Sequence, residues 1–190
     1  MDGQGEPKLN YSVKTSTLKI LTMLLAMAVC TPMAHAEPRL TPSGQPVPRY
    51  ISLKFDKVYA RAGPSEDHRL LWVYHVKGLP VQVVAENSEW RRICDPDGGM
   101  AWVHKRLTSG ENTVLRKKPT PLALHRKPKA EAAIVAYLNP RSMAALIKCE
   151  DGWCRVRADN VTGWAPAAEL WGTSDAIQCK VALRAPARSR

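Results

Sequence analysis

The stretch CEDGWC, residues 149–154, places a cysteine on each side of an Asp-Gly pair. Asp-Gly is a favoured two-residue hairpin turn, because a type I′ turn needs φ > 0 at both central positions. With Asp151 and Gly152 at the tip, Glu150 and Trp153 form the hydrogen-bonded pair flanking the turn. Cys149 and Cys154 become the next, non-hydrogen-bonded pair, where Cα atoms lie about 4.5 Å apart. A disulfide accepts that distance. The spacing predicts a hairpin stapled by Cys149–Cys154.

The same pattern occurs earlier without the cysteines. An offset of 63 residues lays Trp153 on Trp90, and Ala144–Lys148 (AALIK) on Val81–Ala85 (VQVVA). Trp164 falls on Trp102 after one deletion. Where the later copy has Cys149 and Cys154, the earlier one has Glu86 and Arg91, opposite charges facing across the strands. One copy staples its hairpin covalently and the other does it with an ion pair. Around these residues run short β-rich segments: YISL at 50, LLWVYHV at 70, PVQVVAE at 80, WRRI at 90 and AWVH at 101. Gly, Pro, Asn and Asp punctuate them, the signature of a small sandwich or barrel. Each copy has about 55–60 residues, near the lower limit for a lone domain.

These pieces resemble a known family. Arg61-Ala62-Gly63-Pro64-Ser65, Gly78-Leu79-Pro80-Val81, Trp90-Arg91-Arg92-Ile93 and Trp102-Val103-His104 are similar to a bacterial SH3 domain of exported Gram-negative proteins. CEDGWCRVRADNVTGWAPAAELWG is similar to a second copy. The resemblance implies an all-β fold of two tandem small SH3-like barrels, at residues 50–110 and 111–172. It also implies a non-catalytic role, binding cell-wall material or another protein. The chain departs from the family pattern at several points. Tyr59 stands where Asn is common, Cys94 where Arg is usual, and Met100-Ala101 replaces the Gly before Trp102. Copy two reads His125-Arg126-Lys127-Pro128 where copy one has Arg61-Ala62-Gly63-Pro64.

The ends of the chain set its compartment. Lys8, Lys14 and Lys19 precede an apolar run, Ile20–Cys30, and Ala34-His35-Ala36 is a small-x-small cleavage site. Residues 1–36 are thus expected to be a secretory signal peptide. The run is too short for a membrane span, which needs about 20 residues, so no transmembrane span is expected in the mature chain. Residues 37–49, with four prolines, read as an extended linker. Residues 173–190 read as a basic flexible tail. The expected location is periplasmic or secreted, an oxidising compartment where four remaining cysteines favour disulfides. Cys94 and Cys179 are left after the hairpin pair. Pairing them would tie the tail across the first barrel, whereas a flexible tail could equally form intermolecular bonds.

The formal net charge is +11. Export argues against nucleic acid as the partner and leaves anionic envelope polymers, headgroups or mere solubility. No metal site is expected, since no second Cys pair or His-x-His completes a tetrahedral set. No catalytic residue and no cofactor are expected either. Asp95 and Asp97 read as turn formers, and no nucleophile, base and orienter fall together.

Binding residues are sought among the outward aromatics and their neighbouring arginines. On the strand from Trp90, residues 90, 92 and 94 share a face opposite 91 and 93. In copy two, Trp153, Arg155 and Arg157 share the face opposite Cys154 and Val156. If Ile93 and Val156 point inward, each Trp lies outward beside an Arg, suited to a sugar, a peptide or a carboxylate-bearing stem. Alternatively, each Trp covers a barrel end or the seam between copies. The candidate residues are Trp90, Arg92, Trp153, Arg155 and Arg157, joined through the resemblance by Tyr59, Trp72 and Tyr74. The expected partner is peptidoglycan or an envelope protein. The second reading is a structural adaptor for an envelope protein.

Overall fold

The computed structural model describes residues 39–179. The signal segment (1–36) and the basic end of the tail (180–190) lie outside the described residues. Among the described residues no helix is long and apolar enough to cross a membrane.

Two short strands, β1 (Arg39–Leu40) and β2 (Pro46–Val47), pair as a hairpin within the segment expected to be an extended linker. That expectation is corrected. Thr41 and Ser43, between the two strands, both donate hydrogen bonds to the Glu86 carboxylate. Arg49 reaches the same group at 2.6 Å. Proline content signalled extended backbone correctly, but contact with a buried carboxylate 37 or more residues away is invisible to composition.

Repeat 1 then runs through β3 (Arg49–Leu53), β4 (Val58–Arg61), β5 (Leu70–Tyr74) and β6 (Pro80–Glu86). It continues with β7 (Trp90–Cys94), β8 (Met100–His104), a 3-10 turn at Lys105–Leu107 and β9 (Thr108–Ser109). Repeat 2 comprises β10 (Thr113–Leu115), β11 (Leu122–His125), β12 (Ile134–Leu138) and β13 (Met143–Glu150). It ends with β14 (Trp153–Ala158), β15 (Val161–Pro166) and a 3-10 turn at Ala167–Glu169.

The sheet orders prove the repeat. Repeat 1 is ordered β5-β4-β8-β7-β6-β3-β9, and repeat 2, read in the same sense, β12-β11-β15-β14-β13-β10. A bridge from Leu115 to Trp171 stands where β9 meets β3 in repeat 1. Even the irregularities match: the register shifts between Val83 and Ala85 and again between Leu146 and Lys148. Such bulges bend a strand sharply and raise its twist, which is how a small sheet curls over its own core. Both sheets are antiparallel, so the fold is all-β, as the alternation of short runs implied.

Alternation places the cores. Val58, Ala60, Val81, Val83, Ile93 and Val103 are buried in repeat 1. In repeat 2, Val114, Leu124, Cys154, Val156 and Ala165 do the same. Ile93 and Val156 thus point inward, at equivalent positions. Gly163 shows how tightly repeat 2 closes: a Cβ there would come within 2.7 Å of Leu124 Cβ and 3.0 Å of Val135 Cγ2.

The repeats are joined by specific contacts. Thr113 Oγ1 donates to Gly78 O at 2.7 Å, and Trp171 Nε1 to Pro80 O at 3.2 Å. Trp171 also meets Tyr50 edge-on, with centroids 5.8 Å apart. Arg141 grips Asp97 through both guanidinium nitrogens, at 3.1 and 3.3 Å. This bond, then the charge of Arg141, holds the Asp97 carboxyl below its ordinary value despite some desolvation. The first part of the tail is docked as well. Gln82, fully buried, donates to Ala176 O and accepts from Gln178 N, and Cys179 is bonded to Cys94. The tail is therefore not flexible up to Cys179, because a buried carboxamide satisfies its backbone and a disulfide fixes its end.

Candidate groove on repeat 1

The hairpin at residues 149–154 has the expected register: Glu150 faces Trp153 and Cys149 faces Cys154. Asp151 and Gly152 take φ of 48° and 78°, the left-handed pair a type I′ turn requires. The two cysteines are bonded, with Cα atoms 4.0 Å apart. In repeat 1, Glu86 faces Arg91, whose Nε lies 3.2 Å from the carboxylate.

Those two hairpins aim Trp90 and Trp153 in different surroundings. Trp90 pairs across the sheet with His104, its ring 5.2 Å from the imidazole. It is 8% exposed, so it forms a wall and not a free stacking platform. Around it a small cavity of about 60 Å³ is lined by Tyr59, Arg61, Glu66, His104 and Arg106. Tyr59 is 41% exposed and Lys57 Nζ lies 5.5 Å over its ring. The groove thus brings together two of the residues expected from sequence, Tyr59 and Trp90.

The local chain explains this convergence. Tyr59 and Arg61 lie on one face of β4, opposite buried Val58 and Ala60. Arg61 NH1 donates to His68 O at 2.9 Å, holding the β4–β5 loop over the groove. That loop turns at Gly63, where a Cβ would sit 2.4 Å from the His68 ring. The 3-10 turn delivers Arg106, whose backbone N–H is capped by His104 Nδ1 at 3.2 Å.

Charge in the groove is positive on balance. Arg106 is 3.5 Å from Glu66, both largely exposed, a contact of little energetic weight. Lys105 is engaged by Glu89 at 2.9 Å, and that bond draws the Glu89 carboxyl below its ordinary value. Arg61 and Arg106 line the groove with one weakly held carboxylate, Glu66, and Lys57 adds a positive charge over the Tyr59 ring. Such a site favours a carboxylate-bearing ligand, and its volume admits one small group but no sugar ring.

The remaining expected residues lie elsewhere. Trp72 and Tyr74 meet edge-on, 6.0 Å apart, and pack against the repeat 1 core. Tyr74 donates to Asp95 Oδ2 at 2.8 Å, while Asp95 Oδ1 accepts from the Asp97 and Gly99 backbones. Burial, then the Asp95 charge, pushes the Tyr74 hydroxyl well above its ordinary value. This pair organises the β7–β8 turn and does not join the groove. Arg92 lies between Trp90 and Cys94 and is half-buried. Arg155 and Arg157 are exposed on β14, beside Trp153, whose ring meets His125 at 5.6 Å.

Copy two keeps the scaffold and loses the groove chemistry. Pairing of His125 with Trp164 matches that of Arg61 with Trp102. His125 Nδ1 lies 2.9 Å from Ala132 O, the bond Arg61 makes to His68 O. His125 therefore replaces Arg61 structurally. Tyr59, Glu66, His104 and Arg106 become Ala123, Ala130, Pro166 and Ala168. Sequence reading missed Arg61, Glu66, His104 and Arg106 as groove members. Arg61 and His104 had a signal, in the Arg-Ala-Gly-Pro and Trp-Val-His motifs.

The bacterial SH3 domain family matches the chain twice, over residues 54–110 and 118–172. Solved structures similar to it include NlpC2 and NlpC1 from Trichomonas vaginalis, at 16% and 15% identity. Each likeness covers 70% of this chain, with TM-scores of 0.30 and 0.29. The chain spans about half of those structures, 46% and 48% of their lengths. No curated protein sequence matches. With both matches falling on the two sheets, the chain belongs to the bacterial SH3 domain family.

Proposed function

We propose that the protein is an exported, non-catalytic binding protein that holds peptidoglycan through the groove on repeat 1. The observation that carries this reading is the contrast between copies. Two repeats share one fold to the position of each bulge, yet only repeat 1 gathers Tyr59, Arg61 and Arg106 around a Trp wall. A fold alone needs none of those groups, since repeat 2 lacks them. Net positive charge beside an aromatic wall selects a carboxylate on a small stem, the chemistry of a cell-wall peptide. Bacterial SH3 membership and the apolar leader segment support the envelope as its place of action.

Co-sedimentation with purified sacculi at low and moderate salt tests the reading. Retention that survives moderate salt is expected of a specific groove. Retention abolished by moderate salt would reduce the interaction to the net charge of +11. No retention, with an envelope protein co-purifying, would replace this reading by the adaptor.

A further inference from the structure

A larger cleft, of about 530 Å³, opens where four segments of the chain meet. The linker hairpin supplies Gln45, repeat 1 supplies Tyr50 and Arg91, repeat 2 supplies Asn112 and Leu146, and the tail supplies Asp175. Its size is within the roughly 300–1,000 Å³ typical of small-molecule sites. Neither repeat alone forms it.

The polar groups in this cleft differ from those in the groove. Arg49 and Arg91 also line it, but both already contact the Glu86 carboxylate. Counting two guanidiniums against Glu86 and Asp175, the cleft has no net charge. Among the described residues, the side chains of Gln45, Asn112 and Asp175 are exposed and engage no other protein group. Two carboxamides and a carboxylate can each bridge neighbouring hydroxyls, donating to one and accepting from the other, or accepting from both. Pro48, Ile51 and Leu146 provide apolar surface between them.

One group under the cleft is unsatisfied. The Tyr50 hydroxyl is sealed from solvent with no hydrogen-bond partner. Burial, then the charge of Asp175, pushes it up to about 12, so it stays a donor. A buried hydroxyl without a partner costs folding stability. The Cys94–Cys179 bond and the Gln82 contacts fix the tail segment that carries Asp175. Such fixed groups bind without first losing conformational freedom.

We infer that this seam cleft is a second binding site, for a neutral saccharide segment. The inference rests on the envelope-polymer reading, and adds to it a place for the sugar that the groove is too small to hold. The groove takes the charged stem; the cleft takes the uncharged glycan.

Calorimetric titration of the full mature chain with chitotetraose, a neutral N-acetylated probe, tests this directly. Binding is expected, weakened roughly five- to tenfold by Asn112→Ala and by Asp175→Asn, the effect of losing one hydrogen bond each. Tyr50→Phe, which removes a hydroxyl sealed from the cleft, is expected to leave binding intact with the unfolding midpoint unchanged or raised. Arg61→His with Arg106→Ala should leave it intact. Absence of binding, or binding indifferent to Asn112 and Asp175, overturns the seam site. Sacculus retention by the same protein would still uphold the groove, so the two readings fail separately.

Discussion

The hairpin at residues 86–91 and the hairpin at 149–154 have one register and two chemistries. In repeat 2 the turn is Asp151-Gly152 and the second pair out from it, Cys149 and Cys154, is covalent. In repeat 1 the turn residues are Ser88 and Glu89, without a glycine. There Asn87 Oδ1 accepts from the backbone N–H of Glu89 and Trp90, at 3.0 and 2.7 Å. The second pair out is Glu86 and Arg91, and Glu86 is gripped also by Thr41, Ser43 and Arg49. Its side chain is only 2% exposed. Surroundings account for the difference. The repeat 1 hairpin is covered by the linker, so a carboxylate there finds four partners. The repeat 2 hairpin is bare, with Cys149 exposed, and an exposed ion pair would contribute little. A disulfide needs no burial to hold two strands.

This contrast can be broken in three ways. The largest effect is expected from Glu86→Gln, which leaves Arg49 and Arg91 without their shared carboxylate. Loss of about 3 kcal/mol in denaturant unfolding is expected, the scale of a broken buried ion pair. Replacing both Cys149 and Cys154 by alanine should cost about 2 kcal/mol, the short-loop value, with the fold kept. Gly152→Ala should cost about 1 kcal/mol, because φ of 78° is left-handed.

Acid sharpens the same comparison. Burial acts to raise the Glu86 carboxyl, but hydrogen bonds from Arg49, Ser43 and Thr41 and the Arg49 charge outweigh it. They hold it at about 2, against an ordinary 4.5. A depressed carboxyl contributes stability that is complete above its ordinary value and is lost as pH falls toward the folded one. Amide protection at Thr41 and Arg91, taken relative to the intrinsic exchange rate at each pH, should therefore fall between about pH 4.5 and 2. Exchange at Cys149 and Cys154 should show no comparable step, since a disulfide does not titrate.

Sequence showed what depends on neighbours along the chain. The turn at Asp151-Gly152, the facing of Cys149 with Cys154 and of Glu86 with Arg91, and inward Ile93 and Val156 all follow from period-two geometry. What depends on distant partners was hidden. Nothing near Gln82 announces that it will bind the backbone of residues 176 and 178, nor does Trp171 announce the Pro80 carbonyl. The groove was half legible: Trp90 by type and Tyr59 through the family resemblance, but Arg106 arrives on a 3-10 turn that no hydrophobic pattern marks. Tyr74 was a candidate ligand contact through the resemblance, and its buried partner, Asp95, read only as a turn former.

The central claim is that the groove on repeat 1 holds the charged ligand and the equivalent place on repeat 2 does not. A charge-matched pair of variants tests it most directly. Arg61→His with Arg106→Ala gives repeat 1 the residues that repeat 2 carries at those positions, His125 and Ala168. Arg155→Ala with Arg157→Ala removes the same two positive charges from the exposed strand of repeat 2. Sacculus retention is measured for both at neutral pH and about 0.15 M salt, where exposed charges are screened beyond about 8 Å. The repeat 1 variant should lose at least about tenfold in affinity, the worth of one charge-assisted contact, while the repeat 2 variant binds as the parent does. Equal losses in the two variants, or a loss confined to the repeat 2 pair, would contradict the claim.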